Sequence, residues 1–293
     1  MPDDNPRMPE GIPGFFTSYR IAILGLGLMG GSLALALHGK CAALIGIDPD
    51  PAALELTHQL KIFDQVFSEP DRSITQVDIV ILAAPVKTII QLIEDLPRFH
   101  PAPAIIIDLG STKVEILNAM QKLPGRFDPL GGHPMCGKEK SGLSNADPLI
   151  FQDAPFAFTP LPRTSGHARQ AAEALARLVG ARPLWLDAAD HDRWVAATSH
   201  LPYLVSNALA FSTPAEAAPL AGPGFRSTTR LGSSSPEMML DVLMTNRANI
   251  LSASRRLRVH LDTLDELLAR NDYDGLMHLL TQGVSQQRKI VSA

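Results

Sequence analysis

The sequence predicts an α/β protein: a doubly wound, mostly parallel sheet with helices on both faces, followed by an all-helical C-terminal domain. Three observations predict it. Short apolar runs alternate with helical patterns up to about residue 188. A glycine-rich turn joins the first apolar run to the first helical pattern. No strand-like run follows Asp187. Strands alternating with helices form parallel sheets covered on both faces.

Arg20–Leu24 is a short apolar run ending at glycine and reads as a buried strand. Ser32–His38 reads as a helix, Ala43–Ile47 as a second strand, and Pro51–Leu60 as a helix with proline in its first turn. Asp78–Ala84 and Ala104–Asp108 are too short for helices and rich in Ile and Val. Helical patterns over Val86–Leu96 and Lys113–Leu123 alternate with them. Two further strands are expected at Pro155–Thr159 and Arg182–Leu186, around a helix over Gly166–Leu178. Beyond Asp187, Ala189–Phe211 reads as one long helix bent at Pro202, because proline cannot donate to the carbonyl of Thr198. Ser212–Ser235 reads as a loop, and Pro236–Arg270 and Tyr273–Ile290 as amphipathic helices. The expected organisation is a flexible tail (1–19), a dinucleotide-binding domain (20–188) and a helical domain (189–293).

With 293 residues the chain is long enough for two domains. A net charge of -4 makes no electrostatic case for nucleic acid or an anionic membrane, so an anionic substrate must be met by a local basic site. Two cysteines make no disulfide framework, which fits a reducing, cytoplasmic setting. The first residues lack the basic start and apolar core of a signal peptide. No apolar run reaches the roughly 18 residues of a membrane span. No metal site is expected.

Gly25-Leu26-Gly27-Leu28-Met29-Gly30 is a G-x-G-x-x-G in the context that gives it meaning, after a strand and opening a helix, as in Rossmann-type domains. The glycines allow a tight turn, close backbone approach to a pyrophosphate, and close helix–strand packing. The helix start offers N–H groups and the positive dipole end to phosphate. Asp48 ends the second strand, where a carboxylate can accept from ribose hydroxyls and repel a 2′-phosphate, so NAD is expected over NADP. Ala84-Pro85 and Ser111 follow the third and fourth strands at their carboxyl ends, where open α/β sheets bind ligands.

Three further segments are unusual for connectors. His133 lies in a glycine-flanked loop, Gly131-Gly132-His133-Pro134-Met135, after an apolar approach. His200 stands beside a helix-bending proline in Ser199-His200-Leu201-Pro202-Tyr203. Arg226 and Arg230 share the long loop of the helical part. The other seven histidines, His191 among them, read as structural.

On these segments the chain resembles the prephenate/arogenate dehydrogenase (TyrA) family. The matching stretches are Gly25–Ser32, Asp108–Lys113, Gly132-His133-Pro134 through Glu139-Lys140-Ser141-Gly142, Ser199–Pro202, and Gly224-Phe225-Arg226 through Arg230, with Pro236-Glu237 beyond. The resemblance implies an NAD-dependent oxidative decarboxylation of prephenate in tyrosine biosynthesis. It also implies a homodimer formed through the C-terminal helices. It implies that His133 accepts the proton of the ring hydroxyl while hydride leaves for NAD. Ser111 would support His133, Arg230 would bind a substrate carboxylate, and His200, Ser199, Tyr203 and Glu139 would line the substrate pocket. Gly25, Gly27, Leu28, Met29, Gly30, Asp48, Ala84 and Pro85 would hold the cofactor. Tyr203 stands where many relatives carry histidine or an apolar residue, so arogenate remains the alternative substrate. A β-hydroxyacid dehydrogenase or an imine reductase is the runner-up among enzymes; the first would want a lysine on a helix of the second domain, and residues 189–245 contain none. A non-catalytic NAD-sensing protein is the distant alternative.

Overall fold

The structure is a computed structural model that describes residues 14–71, 74–138 and 140–292. The chain forms two compact units, one ending at Asn246 and the other beginning at Arg247.

In the first unit, β1 (Arg20–Leu24) leads into α1 (Leu28–Leu37), then β2 (Ala43–Ile47), α2 (Pro51–Leu60) and β3 (Gln65–Phe67). β4 (Ile79–Leu82), α3 (Val86–Phe99), β5 (Ala104–Asp108), α4 (Val114–Gln121) and β6 (Phe127–Pro134) follow. β7 (Pro155–Pro160), α5 (Gly166–Leu178) and β8 (Arg182–Trp185) complete the sheet. The strand order is β3-β2-β1-β4-β5-β6-β7-β8. All pairings are parallel except β6 with β7. Ile21 and Ile23 of β1 pack into the core shared with α1 and α5, whereas Ala22 and Leu24 pack into the core shared with α3 and α4. Burial on both faces is why these strands are continuous apolar runs and not alternating ones. The connections from β1 run to both sides, which opens a crevice at the carboxyl ends of β1 and β4.

Three elements differ from the sequence reading here. β3 (Gln65–Phe67), a three-residue edge strand, has no counterpart in it. α1 begins at Leu28, directly on the glycine turn. The Gly131–Pro134 segment is the end of strand β6, with His133 opposite Ala157 of β7. Its glycines and prolines read as a loop, but pairing with β5 and β7 holds it extended. The reading of a flexible tail covers 1–13, which lie outside the described residues, and 14–19, which are placed. Phe16 is buried, Phe15 stacks on Tyr19 at 5.4 Å, and Tyr19 Oη lies 2.9 Å from His167 Nε2.

Beyond β8, α6 (Ala188–Val195) runs through a π-helical turn (Ala196–His200) into α7 (Leu201–Ser212). Leu201 N–H donates to Ala196 O, five residues back. The expected distortion at Pro202 is thus a widened turn just before it. Ser212–Ser235 is not a plain loop: it holds two 3₁₀ turns (Ala215–Leu220 and Arg230–Ser233) around α8 (Pro223–Thr229). Pro223 occupies the first turn of α8, and Thr228 and Thr229 bond back to Gly224 O and Phe225 O. The expected helix over 236–270 is two, α9 (Pro236–Thr245) and α10 (Arg247–Ala269), interrupted at Asn246. The Asn246 side chain is occupied elsewhere, as described below.

In the second unit α10 packs against α11 (Tyr273–Val291) across a short turn. Asn271 takes a left-handed conformation there, and Asp272 caps α11 by accepting from Gly275 N–H at 2.9 Å. No helix among the described residues is long and apolar enough to cross a membrane.

Candidate active site

A cavity of about 660 Å³ lies at the carboxyl ends of β1, β4, β5 and β6. Gly27, Leu28 and Met29 line it after β1, Ala84 and Pro85 after β4, Ser111 after β5, and His133 at the end of β6. The segment after β6 adds Lys138 and Lys140, and α9 adds Met238 and Asp241.

The glycine turn is built for close approach. Gly25 has φ +99°, and a Cβ there would stand 2.5 Å from Ala83 O. A Cβ on Gly30 would stand 1.9 Å from Gly25 O, so the helix can start against the strand only with glycine. At Gly27 a Cβ would meet nothing within 4 Å, and no side chain caps α1. The first-turn N–H groups therefore face the cavity side as unsatisfied donors, free to bind an anion. Asp48 braces this turn: Oδ2 accepts from Leu26 N–H at 2.6 Å and Oδ1 from Asp50 N–H at 2.9 Å. Each oxygen keeps a further lone pair. The turn, the open helix start and the acid together fit a dinucleotide.

His133 is held from behind. Lys113 and Asp108 form a fully buried ion pair, and Lys113 Nζ also donates to Gly132 O at 2.7 Å. Asp108 accepts from Gly110 N–H at 2.8 Å and Gly132 N–H at 3.2 Å. Burial pushes the Asp108 carboxyl up and the Lys113 ammonium down, each opposed by the other's charge. His133 Nδ1 lies 2.9 Å from His191 Nε2, and His191 Nδ1 lies 2.8 Å from Asp192 Oδ1. Burial, then the neighbouring His191, Lys113 and His200, hold His133 well below the usual histidine range. It is therefore a neutral ring at pH 7, able to accept a proton. Ser111 lines the same cavity, and no hydrogen bond joins it to His133 among the described residues.

The remaining expected residues lie apart from the cavity lining. His200 is buried at the end of the π-helical turn, with Nδ1 3.2 Å from Asn246 Nδ2 and Nε2 without a hydrogen-bond partner. Burial outweighs the nearby Asp192 and lowers its pKa to about 4. Ser199 and Tyr203 flank it on the same helical stretch, and Arg230 is exposed at the start of the 3₁₀ turn that packs on α7. Glu139 lies outside the described residues.

A profile of the prephenate dehydrogenase nucleotide-binding domain matches residues 33–184, and one of the prephenate dehydrogenase dimerization domain matches 187–282. Prephenate dehydrogenase of Bacillus subtilis is 31% identical over 268 residues, covering 87% of this chain and 72% of that protein. The chain belongs to the prephenate dehydrogenase family. Among solved structures, A. aeolicus prephenate dehydrogenase in complex with hydroxyphenyl propionate and NAD+ superposes with a TM-score of 0.84 at 26% identity. That match covers 94% of this chain and 99% of the other. Synechocystis arogenate dehydrogenase superposes with 0.75 at 29% identity, over 92% and 99%.

Four residues packed behind His133 and His200 escaped the sequence reading as site residues: His191, Asp192, Lys113 and Asn246. His191 had no mark in sequence to separate it from a core histidine, and only the fold brings it, 58 residues away, onto His133. Lys113 closes the matching Asp108–Lys113 stretch, and its burial against Asp108 shows what that spacing is for.

Proposed function

We propose that this chain is an NAD-dependent prephenate dehydrogenase, converting prephenate to 4-hydroxyphenylpyruvate and CO2. The observation that carries the reading is His133, a neutral buried histidine that lines one cavity together with the open glycine turn. NAD+ supplies the hydride acceptor. His133 Nε2 accepts the proton of the ring hydroxyl as the carbon bearing it gives up hydride. The ring carboxylate then leaves as CO2, its electron pair aromatises the ring, and His133 returns the proton to the phenolate. Aromatisation supplies the driving force, so the residues need only orient substrate, hold one proton and meet the carboxylates. Gly25, Gly27, Leu28, Met29 and Gly30 seat the pyrophosphate, Asp48 meets the ribose, and Ala84 and Pro85 border the nicotinamide end. Ser111 supports the hydroxyl, and Arg230 meets a carboxylate. His200, Ser199, Tyr203 and Glu139 complete the substrate side. The proposed domain boundary lies near 188, where the alternation of strands and helices ends, within the first of the two compact units, and the proposed setting is cytoplasmic.

The homodimer belongs to the same proposal. α10 and α11 expose Val259, Leu261, Leu268, Met277, Leu280 and Val284, an apolar surface suited to a two-fold mate. Arogenate is the alternative substrate, since an arogenate dehydrogenase, that of Synechocystis, is among the similar structures. Parallel measurement of NADH formation with prephenate and with arogenate tests the reading. The higher kcat/KM assigns the substrate, and absence of turnover with both overturns the proposal.

A further inference from the structure

We propose that Asp192 presets opposite tautomers on two histidines: through His191 it leaves His133 Nε2 a bare acceptor, and through Asn246 it leaves His200 Nε2 a hydrogen-bond donor. The inference rests on the reading of His133 as the base, and its test is separable from that reading.

Asp192 is buried between α6 and α4. Its Oδ1 accepts from Lys113 N–H at 2.7 Å and its Oδ2 from Val114 N–H at 3.0 Å, which seats the carboxylate on the first turn of α4. A carboxylate so placed only accepts. His191 Nδ1, at 2.8 Å from Oδ1, therefore carries a hydrogen, and in the proposed arrangement that is the ring's one hydrogen, leaving Nε2 an acceptor. The atom facing that acceptor at 2.9 Å is His133 Nδ1, which must then donate. A neutral His133 has one N–H, already used here. Its Nε2 keeps the lone pair, and no described residue bonds it.

The second arm uses the backbone of the same residue. Asn246 Nδ2 lies 2.6 Å from Asp192 O, and a carbonyl oxygen only accepts, so the amide orientation is fixed. That same Nδ2 lies 3.2 Å from His200 Nδ1, which must accept. The His200 hydrogen is thus on Nε2, the atom that is buried without a partner. A buried donor of this kind is costly to leave unmade, and an oxygen of the substrate would satisfy it. One residue thereby prepares one ring to take a proton and the other to hold an oxygen. Neither His191 nor Asn246 need touch the substrate, so both are positioning residues.

The test is ¹⁵N NMR of the full chain with labelled histidine, which distinguishes Nδ1–H from Nε2–H rings, combined with steady-state kinetics. Wild type is expected to show His133 as Nδ1–H and His200 as Nε2–H. His191→Leu should release the His133 tautomer alone and lower kcat by between about tenfold and about 10⁴-fold, with KM nearly unchanged. His191→Gln, whose amide oxygen can accept from His133 Nδ1–H, should restore the tautomer and much of kcat. Asn246→Leu should release the His200 tautomer alone and act mainly on KM. NADH binding by fluorescence verifies that each variant is folded. A wild-type His133 with its hydrogen on Nε2, a His191 ring protonated on both nitrogens, or a His133 tautomer indifferent to His191→Leu would overturn the proposal. If the tautomers respond as stated while His133→Asn keeps its kcat, the reading of the base fails and the tautomer assignment stands.

Discussion

Asp48 Oδ2 lies 2.6 Å from the backbone nitrogen of Leu26, so the acid that ends β2 also ties down the glycine turn. Its substitution should do two things. Wild type should prefer NAD to NADP by at least about tenfold in kcat/KM, because a carboxylate beside a 2′-phosphate is uncompensated repulsion. Asp48→Ser should narrow that preference and also weaken NAD, since the Leu26 N–H loses a charged acceptor worth about 1.5–3 kcal/mol. Equal use of both cofactors by wild type in steady-state kinetics would refute the first part, and unchanged NAD affinity in Asp48→Ser the second.

His133→Asn should lower kcat by roughly 10²- to 10⁴-fold while the protein folds normally. From sequence alone an unperturbed histidine, titrating near ~6.5, would set the acid limb of kcat. The burial of His133 and its three basic neighbours move that limb to lower pH. The same depression bears on stability. Unfolded histidines take up protons near pH ~6.5. Stability owed to the neutral rings is therefore complete above that pH and is lost as pH falls toward the folded values. His200, at about 4 in the folded chain, accounts for about 3 kcal/mol across that window. Urea unfolding between these limits checks the sign; a midpoint that rises as pH falls would contradict it.

Lys113→Met should destabilise the protein by about 3–5 kcal/mol, because Asp108 would be left as a buried charge without its partner. The lysine also bonds Gly132 O, one residue before His133, so kcat should fall with stability. Denaturant unfolding measures the first effect, and a loss below about 1 kcal/mol would show that the pair is dispensable.

Sequence patterning located the parallel sheet because its strands are buried on both faces and read as plain apolar runs. It missed β3, three residues too short to show a pattern, and it missed β6 because Pro129, Gly131, Gly132 and Pro134 signal a loop locally, while pairing on two sides overrides that signal. It joined α9 to α10 because the apolar spacing continues through Asn246; the interruption comes with side-chain bonds to Asp192 O and toward His200, which no periodicity records. Motifs marked His133, Ser111 and the glycine turn, which share one cavity. The buried supports behind them depend on long-range contacts between α4, α6 and β6, and became legible only with the fold.

Arg230→Ala should raise KM by roughly ten- to a hundredfold if the guanidinium meets a substrate carboxylate. Arg230→Lys should recover only part, for want of the planar fork. Arg226, whose Nε donates to Ala221 O at 3.1 Å, is the control and should matter less. Lys140 lines the cavity itself. A larger KM effect from Lys140→Ala than from Arg230→Ala in the same assay would transfer the role to the lysine.

The apolar surface of α10 and α11 sets the last prediction. Met277 and Leu280 are 66% and 52% exposed on the same helix, three residues apart and so on one face. A single chain leaves that face in water, whereas a closed dimer, the commonest symmetric assembly, would cover it. Light scattering at micromolar concentration should therefore report about twice the 31.6 kDa chain mass. Met277→Glu with Leu280→Glu should shift the population toward monomer, because each buried carboxylate would need desolvation without a partner. Exposed in a monomer, the same substitutions should change unfolding by no more than about 0.5 kcal/mol. A wild-type chain that is monomeric at that concentration and fully active would end the proposal of a homodimer.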